Sequence, residues 1–148
     1  MRPAREADLP ALVAIERIAF TDPWSRTDFA DCLRLGWPMY IAENGGSALG
    51  YIIGRAAVDQ GEILNLGVTL AARRRGIGTA LVRRLLADFS RRGVVSAFLE
   101  VRASNLAAQQ LYQSFGFEAV GRRARYYQRP VEDAVVLRAA ISADTSSA

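Results

Sequence analysis

Apolar residues along this chain recur with two periods, and the period switches several times. Leu9, Leu12, Val13, Ile15, Ile18 and Ala19 fall three and four apart, as on one helix face, with Glu6 and Asp8 ahead of them where acids suit a helix N-terminus. A second helix is expected after Ser25-Arg26-Thr27-Asp28, with Ser25 as its cap and Trp24 packing just before it. Residues 39–42, the turn Asn44-Gly45-Gly46 and residues 49–57 have the pattern of a hairpin, and 62–68 that of its next strand. Ile77, Ala80, Leu81, Leu85, Leu86 and Phe89 return to helical spacing until Gly93. Residues 94–101 are apolar enough for a buried strand, and Asn105 opens a helix carrying Leu106, Leu111, Tyr112 and Phe115 that Gly116 closes. Strands at about 117–127 and 133–141 finish the pattern. Helix, helix, three strands, helix, strand, helix, two strands predicts an α/β (α+β) fold, a mixed sheet with helices on both faces. A single domain over 1–141 is expected, with a loose polar tail at 142–148.

Composition narrows the chemistry mainly by what it lacks. The 148 residues are 51% hydrophobic and 23% charged, enough apolar content for one real core. With no histidine, Ser-His-Asp and Cys-His sites and imidazole-held zinc are excluded. One cysteine, Cys32, rules out an internal disulfide and a thiolate zinc cluster, and its place in the second helix predicts a buried thiol in a reducing compartment. No metal is expected. The first residues lack an apolar signal core and no run approaches the ~20 apolar residues of a membrane span, so a soluble cytoplasmic protein without membrane partners is expected. A net charge of +4 and a pI near 9.8 suit a polyanionic ligand or a partner beside nucleic acid, although arginine usage can also reflect base composition.

Arg73-Arg74-Arg75-Gly76-Ile77-Gly78-Thr79 lies between a strand and a long helix, where bare backbone N–H groups and the helix dipole favour a phosphate. A plain helix start with solvated arginines is the alternative. All 19 basic residues are arginine, so the P-loop lysine is missing, and Leu81 stands where a dinucleotide fingerprint needs its third glycine. Glu100, near the end of an apolar strand, could be a partly desolvated general base or half of an ion pair with Arg102. Tyr112, two helical turns beyond Asn105, could protonate a leaving thiolate or simply anchor the core. Asn105 could cap its helix or hold a ligand amide. In Leu66-Gly67-Val68 the glycine marks a bulge, a close backbone approach or a packing contact, and a bulge or splay would free backbone groups for an extended amide-bearing ligand.

Taken together, these residues resemble the GNAT superfamily of acyl-CoA-dependent N-acetyltransferases over almost the whole chain. The similarity is carried by the Arg73-x-x-Gly76-x-Gly78 loop and, in order after it, the long helix, the buried strand and the helix bearing Tyr112. Leu99-Glu100-Val101-Arg102-Ala103-Ser104-Asn105, Ala107-Ala108, Leu111-Tyr112, Phe115-Gly116-Phe117, Arg122-Arg123, Tyr126-Tyr127, Glu132-Asp133-Ala134 and Pro23-Trp24-Ser25 resemble the RimI-type ribosomal protein alanine N-acetyltransferases. The resemblance implies the acyl-CoA N-acyltransferase fold, a twisted mixed sheet of about six to seven strands. It implies Glu100 as proton acceptor and Tyr112 as proton donor. Leu66, Gly67 and Val68 would pair with pantetheine, and Asn105 would contact CoA. Arg73, Arg74, Arg75, Gly76, Ile77, Gly78 and Thr79 would cradle the pyrophosphate. Acetyl-CoA is the implied co-substrate, and the acceptor is the N-terminal segment of a protein, specifically the N-terminal alanine of a small-subunit ribosomal protein, the eighteenth. A broader N-terminal or lysine acetyltransferase, and a non-catalytic acetyl-CoA-binding protein of the ribosome, are the rival readings; direct nucleic-acid binding is not expected as the main role. Two departures stand out: the first strand is reduced to Arg2-Pro3, and Gly67 stands where the family commonly has alanine.

Overall fold

The computed structural model describes residues 1–142, so all but the first residue of the expected 142–148 tail lies outside the described residues. Its elements are β1 (Arg2–Pro3), a 3-10 turn (Glu6–Asp8), α1 (Leu9–Ala19), α2 (Arg26–Arg34), β2 (Met39–Asn44), β3 (Ser47–Ala57), β4 (Gln60–Val68), a 3-10 turn (Leu70–Ala72), α3 (Ile77–Arg91), β5 (Ser96–Arg102), α4 (Leu106–Gln113), β6 (Glu118–Tyr127) and β7 (Glu132–Ala140). The expected order holds, and β1 joins as a two-residue strand paired to β2. Ser25 caps α2 as expected, in a reciprocal pair: the Asp28 N–H donates to Ser25 Oγ (3.2 Å) and the Ser25 N–H to Asp28 Oδ2 (2.8 Å). The acids before α1 act differently from the expectation. Glu6 and Asp8 lie in the 3-10 turn, and Asp8 is gripped by both Arg2 amino groups at 2.8 Å and by the Arg5 N–H at 2.7 Å. The Arg2 guanidinium holds the Asp8 carboxyl below its usual range.

Seven strands form one sheet in the order β1-β2-β3-β4-β5-β7-β6. Every neighbouring pair is antiparallel except β4 with β5, which are parallel. Helices cover both faces. Leu81, Val82, Leu85, Leu86 and Phe89 of α3 and Tyr112 of α4 bury Ile52, Ile63, Ala97, Leu99 and Val101 of the sheet. On the other face Leu9, Leu12 and Ile15 of α1 and Phe29 and Cys32 of α2 bury Met39, Ile41, Tyr51 and Ile53. Alternation along each strand therefore assigns every side chain of β3, β4 and β5 to one of two layers. Among the described residues no helix is long and apolar enough to cross a membrane.

The parallel pair is short. Gln60, Gly61 and Glu62 face Ser96, Ala97 and Phe98, and there the pairing ends. Just beyond, the β3–β4 register shifts: Ile53 faces Asn65 and Gly54 faces Ile63, so Leu64 is an extra, bulged residue. A bulge bends its strand and raises the local twist, and here β4 leaves β5 at that point. From Ile63 to Val68, β4 is paired only to β3, and a gap opens toward β5.

Candidate active site

Of the alternatives open at Gly67 the packing contact holds, and the bulge of β4 lies at Leu64. Gly67 is a packing glycine: a Cβ there would come within 2.5 Å of Tyr51 Cε1. The Thr69 N–H donates to Leu49 O on β3 at 2.9 Å, and antiparallel pairs alternate, so the backbone of Gly67 also turns to β3 while that of Leu66 and Val68 faces the gap. Of the three residues expected to pair with a ligand arm, two thus present N–H and C=O groups to the open side. The Leu66 N–H is met by Asn65 Oδ1 at 3.0 Å.

Past β4 the chain turns through Arg73, Arg74 and Arg75 into α3. Arg74 and Gly76 have left-handed backbones, φ 63 and 77. A Cβ on Gly76 would meet nothing, so the dihedral and not space calls for glycine there. Gly76 caps α3, and its carbonyl takes the first intrahelical bond, from the Ala80 N–H at 3.0 Å. The N–H groups of Ile77, Gly78 and Thr79 precede that bond and open outward with the helix dipole behind them. At Gly78 a Cβ would make only van der Waals contact, 3.4 Å from Leu111 and 3.9 Å from Val68. Neither dihedral nor packing demands glycine at this position, but an anion approaching the helix amides would use the bare backbone. The same two contacts bring the start of α3, the end of β4 and α4 together at the mouth of the gap. Arg73, Arg74 and Arg75 are exposed, and among the described residues none of them is in an ion pair.

Glu100 lies between Leu99 and Val101, which face α3 and α4, so its carboxylate is on the α1/α2 face. Its side chain is only 13% exposed. The expected alternative partner, Arg102, is drawn elsewhere: it bonds Glu132 Oε1 (3.2 Å), Pro130 O (3.0 Å) and Gln128 O (2.8 Å), with its guanidinium 4.6 Å from the Tyr127 ring centre. Glu100 instead meets Arg123 of β6 at 3.4 Å, and Arg123 lies 5.2 Å over the Tyr126 ring. At 3.4 Å to a half-exposed guanidinium this is a loose pair.

Tyr112 is on the opposite layer. It is 5% exposed, with its ring 5.7 Å from Phe117 in an edge contact. Burial, and secondarily the neighbouring Tyr127, push its hydroxyl well above an ordinary phenol, so it stays protonated throughout the neutral range. Tyr127, pushed up to about 12 by burial first and by Glu100 next, interacts with both Glu100 and Tyr112. The base candidate and the acid candidate thus share a neighbour while lying in opposite layers of the sheet. Asn105 is the cap of α4, its Oδ1 accepting the Ala108 N–H at 3.1 Å, which leaves the Nδ2 group as the one that can donate to a ligand. Cys32 is 3% exposed in α2, and burial pushes its thiol up to about 11, far from a reactive thiolate.

Five side chains around the candidate site carry little or no explicit mark of it in the sequence. Arg123, Tyr126 and Tyr127 were visible only as part of a motif and as aromatic bulk, because their meeting with Glu100 depends on β7 lying between β5 and β6. Glu16 and Asn65 carried a signal that could have been used: each is a polar residue at a position its own periodicity places among buried apolar ones.

The model of the acetyltransferase (GNAT) family matches residues 9–117. The chain is 35% identical over 137 residues to a [ribosomal protein bS18]-alanine N-acetyltransferase of Escherichia coli (strain K12), covering 91% of this chain and 93% of that enzyme. It is 43% identical over 122 residues to the N-alpha-acetyltransferase RimI of Mycobacterium tuberculosis, covering 79% of this chain and 75% of that one. The crystal structure of the ribosomal-protein-S18-alanine N-acetyltransferase from Escherichia coli superposes with a TM-score of 0.88 at 34% identity, covering 95% of this chain and 92% of that one.

Proposed function

We propose, for a chain that belongs to the GNAT family of acetyltransferases, that the gap between β4 and β5 receives acetyl-CoA and that Glu100 and Tyr112 carry acetyl transfer to the N-terminal α-amine of a protein. The acceptor we assign is the N-terminal alanine of ribosomal protein bS18 in the cytoplasm, by likeness to relatives that bear that name. The observation that supports the reading is a carboxylate two residues past the end of the β4–β5 pairing and a buried phenol in the opposite layer, with Tyr127 as their common neighbour.

Bound acetyl-CoA would supply the thioester whose carbonyl the amine attacks. The amides of Ile77, Gly78 and Thr79, with Arg73, Arg74 and Arg75 around them, hold the diphosphate, and Asn105 donates to the ligand beside them. Leu66 and Val68 pair with the amide-bearing arm as an added strand would, and the Val68 N–H polarises the acyl carbonyl. Glu100 takes the ammonium proton on the α1/α2 face, directly or through a water. Tyr112 gives its proton to the departing thiolate from the other face, as a phenol protonated at neutral pH can. Both substrates bind at once and no acyl-enzyme forms, since the only thiol is buried in α2. An α-amine, with a reference pKa near 8 against about 10.4 for lysine, is far easier to deprotonate at neutral pH, which favours an N-terminus as acceptor.

The test is a panel of peptides that differ only in their first residue, with a lysine peptide of blocked N-terminus beside them, followed by mass spectrometry. Preference for an N-terminal alanine is expected. Equal rates across the panel would overturn the narrow acceptor, and modification of the blocked peptide alone would overturn the α-amine.

A further inference from the structure

Glu16 of α1 is buried, 2% exposed, on the stripe that Leu9, Leu12 and Ile15 give to the core. Asp8 and Asp88, also buried carboxylates, are paired with arginines; Glu16 is in no ion pair among the described residues. Its partners are three neutral donors from three separate segments. Oε1 accepts from the Tyr51 hydroxyl of β3 and from Asn65 Nδ2 of β4, the latter at 2.8 Å. Oε2 accepts the backbone N–H of Trp24, in the loop between α1 and α2, at 2.9 Å. Asn65 continues the chain, its Oδ1 taking the Leu66 N–H that faces the gap.

A buried carboxylate is poor value for stability alone, since a well-packed apolar side chain is cheaper to bury. Only an acceptor at both ends can satisfy donors on both sides, and an amide side chain cannot, because one end of it donates. The two oxygens divide the work: Oε1 is fixed to the sheet and Oε2 to the loop. Glu100 faces this same layer, and the bonds from Trp24 through Glu16 and Asn65 end at Leu66 on the open edge of β4.

We propose that Glu16 is a positioning residue for the acceptor: it fastens the Trp24 loop against β4, so that one wall of the acceptor entrance is in place before the amine arrives. This inference rests on the acetyl-transfer reading above. Glu16 touches neither the reacting atoms nor the thioester, and it acts through Trp24.

The experiment is steady-state kinetics of Glu16→Gln and Tyr51→Phe with an alanine-initiated peptide. In Glu16→Gln the amide oxygen stays with Tyr51 and Asn65 while its NH2 group opposes the Trp24 N–H, donor against donor. The peptide KM is expected to rise ~10-fold or more, with kcat within ~3-fold and the acetyl-CoA KM within ~2-fold of wild type. Tyr51→Phe removes a donor from the sheet side only, and its peptide KM should stay within ~2-fold. An unchanged peptide KM in Glu16→Gln, or an equal rise in Tyr51→Phe, would overturn the proposal. Amide exchange in the wild-type protein supplies a reading that needs no variant to fold: the Trp24 amide should exchange ~10-fold or more slowly than those of exposed Thr21 and Asp22, and equal rates would overturn the tether. A wild type that acetylates no peptide N-terminus would overturn the acetyl-transfer reading and this inference with it, whereas a working wild type with an unshifted Glu16→Gln overturns the inference alone.

Discussion

β4 is two structures in one strand. At its start, Gln60 to Glu62 are paired on both sides, Gly61 is pressed under the Phe89 ring where a Cβ would come within 2.8 Å, and Glu62 is bound by Arg55. Two residues later the extra Leu64 turns the strand away from β5, and Leu66 and Val68 turn their backbone groups to a gap. The closed end gives its hydrogen bonds to both neighbouring strands; at the open end the Leu66 N–H is met by Asn65 and no strand pairs the side toward β5. Stability and chemistry therefore sit at opposite ends of the same strand, and substitutions should separate them.

The largest separation is expected at Glu100. Glu100→Gln keeps the shape of the side chain and removes the proton acceptor, so kcat should fall ~100-fold or more, about 2.7 kcal/mol in the barrier, with acetyl-CoA binding by calorimetry within ~2-fold of wild type. Next is Tyr112→Phe, which preserves the edge contact with Phe117 and removes only the proton, lowering kcat ~10- to 100-fold. Equal loss of acetyl-CoA affinity in either variant would mean that these side chains build the gap and do not act in it.

Two glycines test the strand itself. Gly61→Ala forces a methyl into Phe89 and Gly67→Ala forces one into Tyr51, each costing ~1–3 kcal/mol in urea unfolding. Only the second should also lower activity per folded molecule, because it shifts the edge that carries Leu66 and Val68. Alkaline unfolding gives a further contrast. Burial raises the phenols of Tyr51 and Tyr112 in the folded protein, so the unfolded chain loses those protons first. Their stabilising contribution is whole below pH ~10 and declines as pH rises above it, which thermal melts at stepped pH would show as a falling Tm. The smallest effect is expected at Cys32→Ala, with turnover within ~2-fold of wild type, since the thiol plays no part in transfer.

Much of this was legible in the sequence, and the reason differs from part to part. Element order, the Ser25 cap and the glycine-led start of α3 depend on neighbours in sequence, and periodicity and cap chemistry report them directly. The parallel step between β4 and β5 also follows once a helix is known to join them. Glycine at 67 marks a packing contact on Tyr51, whereas the register slips at Leu64, a residue with no local mark of a bulge. Glu100 was visible as a carboxylate in an apolar strand, but its partner was not, because Arg123 comes from a strand two places away in the sheet. Glu16 escaped for the same reason: the donors Tyr51 and Asn65 are 35 and 49 residues distant along the chain.

The open end of β4 can be tested without changing a residue. Amide exchange followed residue by residue, with and without saturating acetyl-CoA, should show the Val68 amide slowed ~10-fold or more by the ligand while those of Gln60 to Glu62, already inside the sheet, keep their rates. A Val68 amide that exchanges at the same rate in saturated protein would contradict the account, because the thioester arm would then lie somewhere other than along that edge.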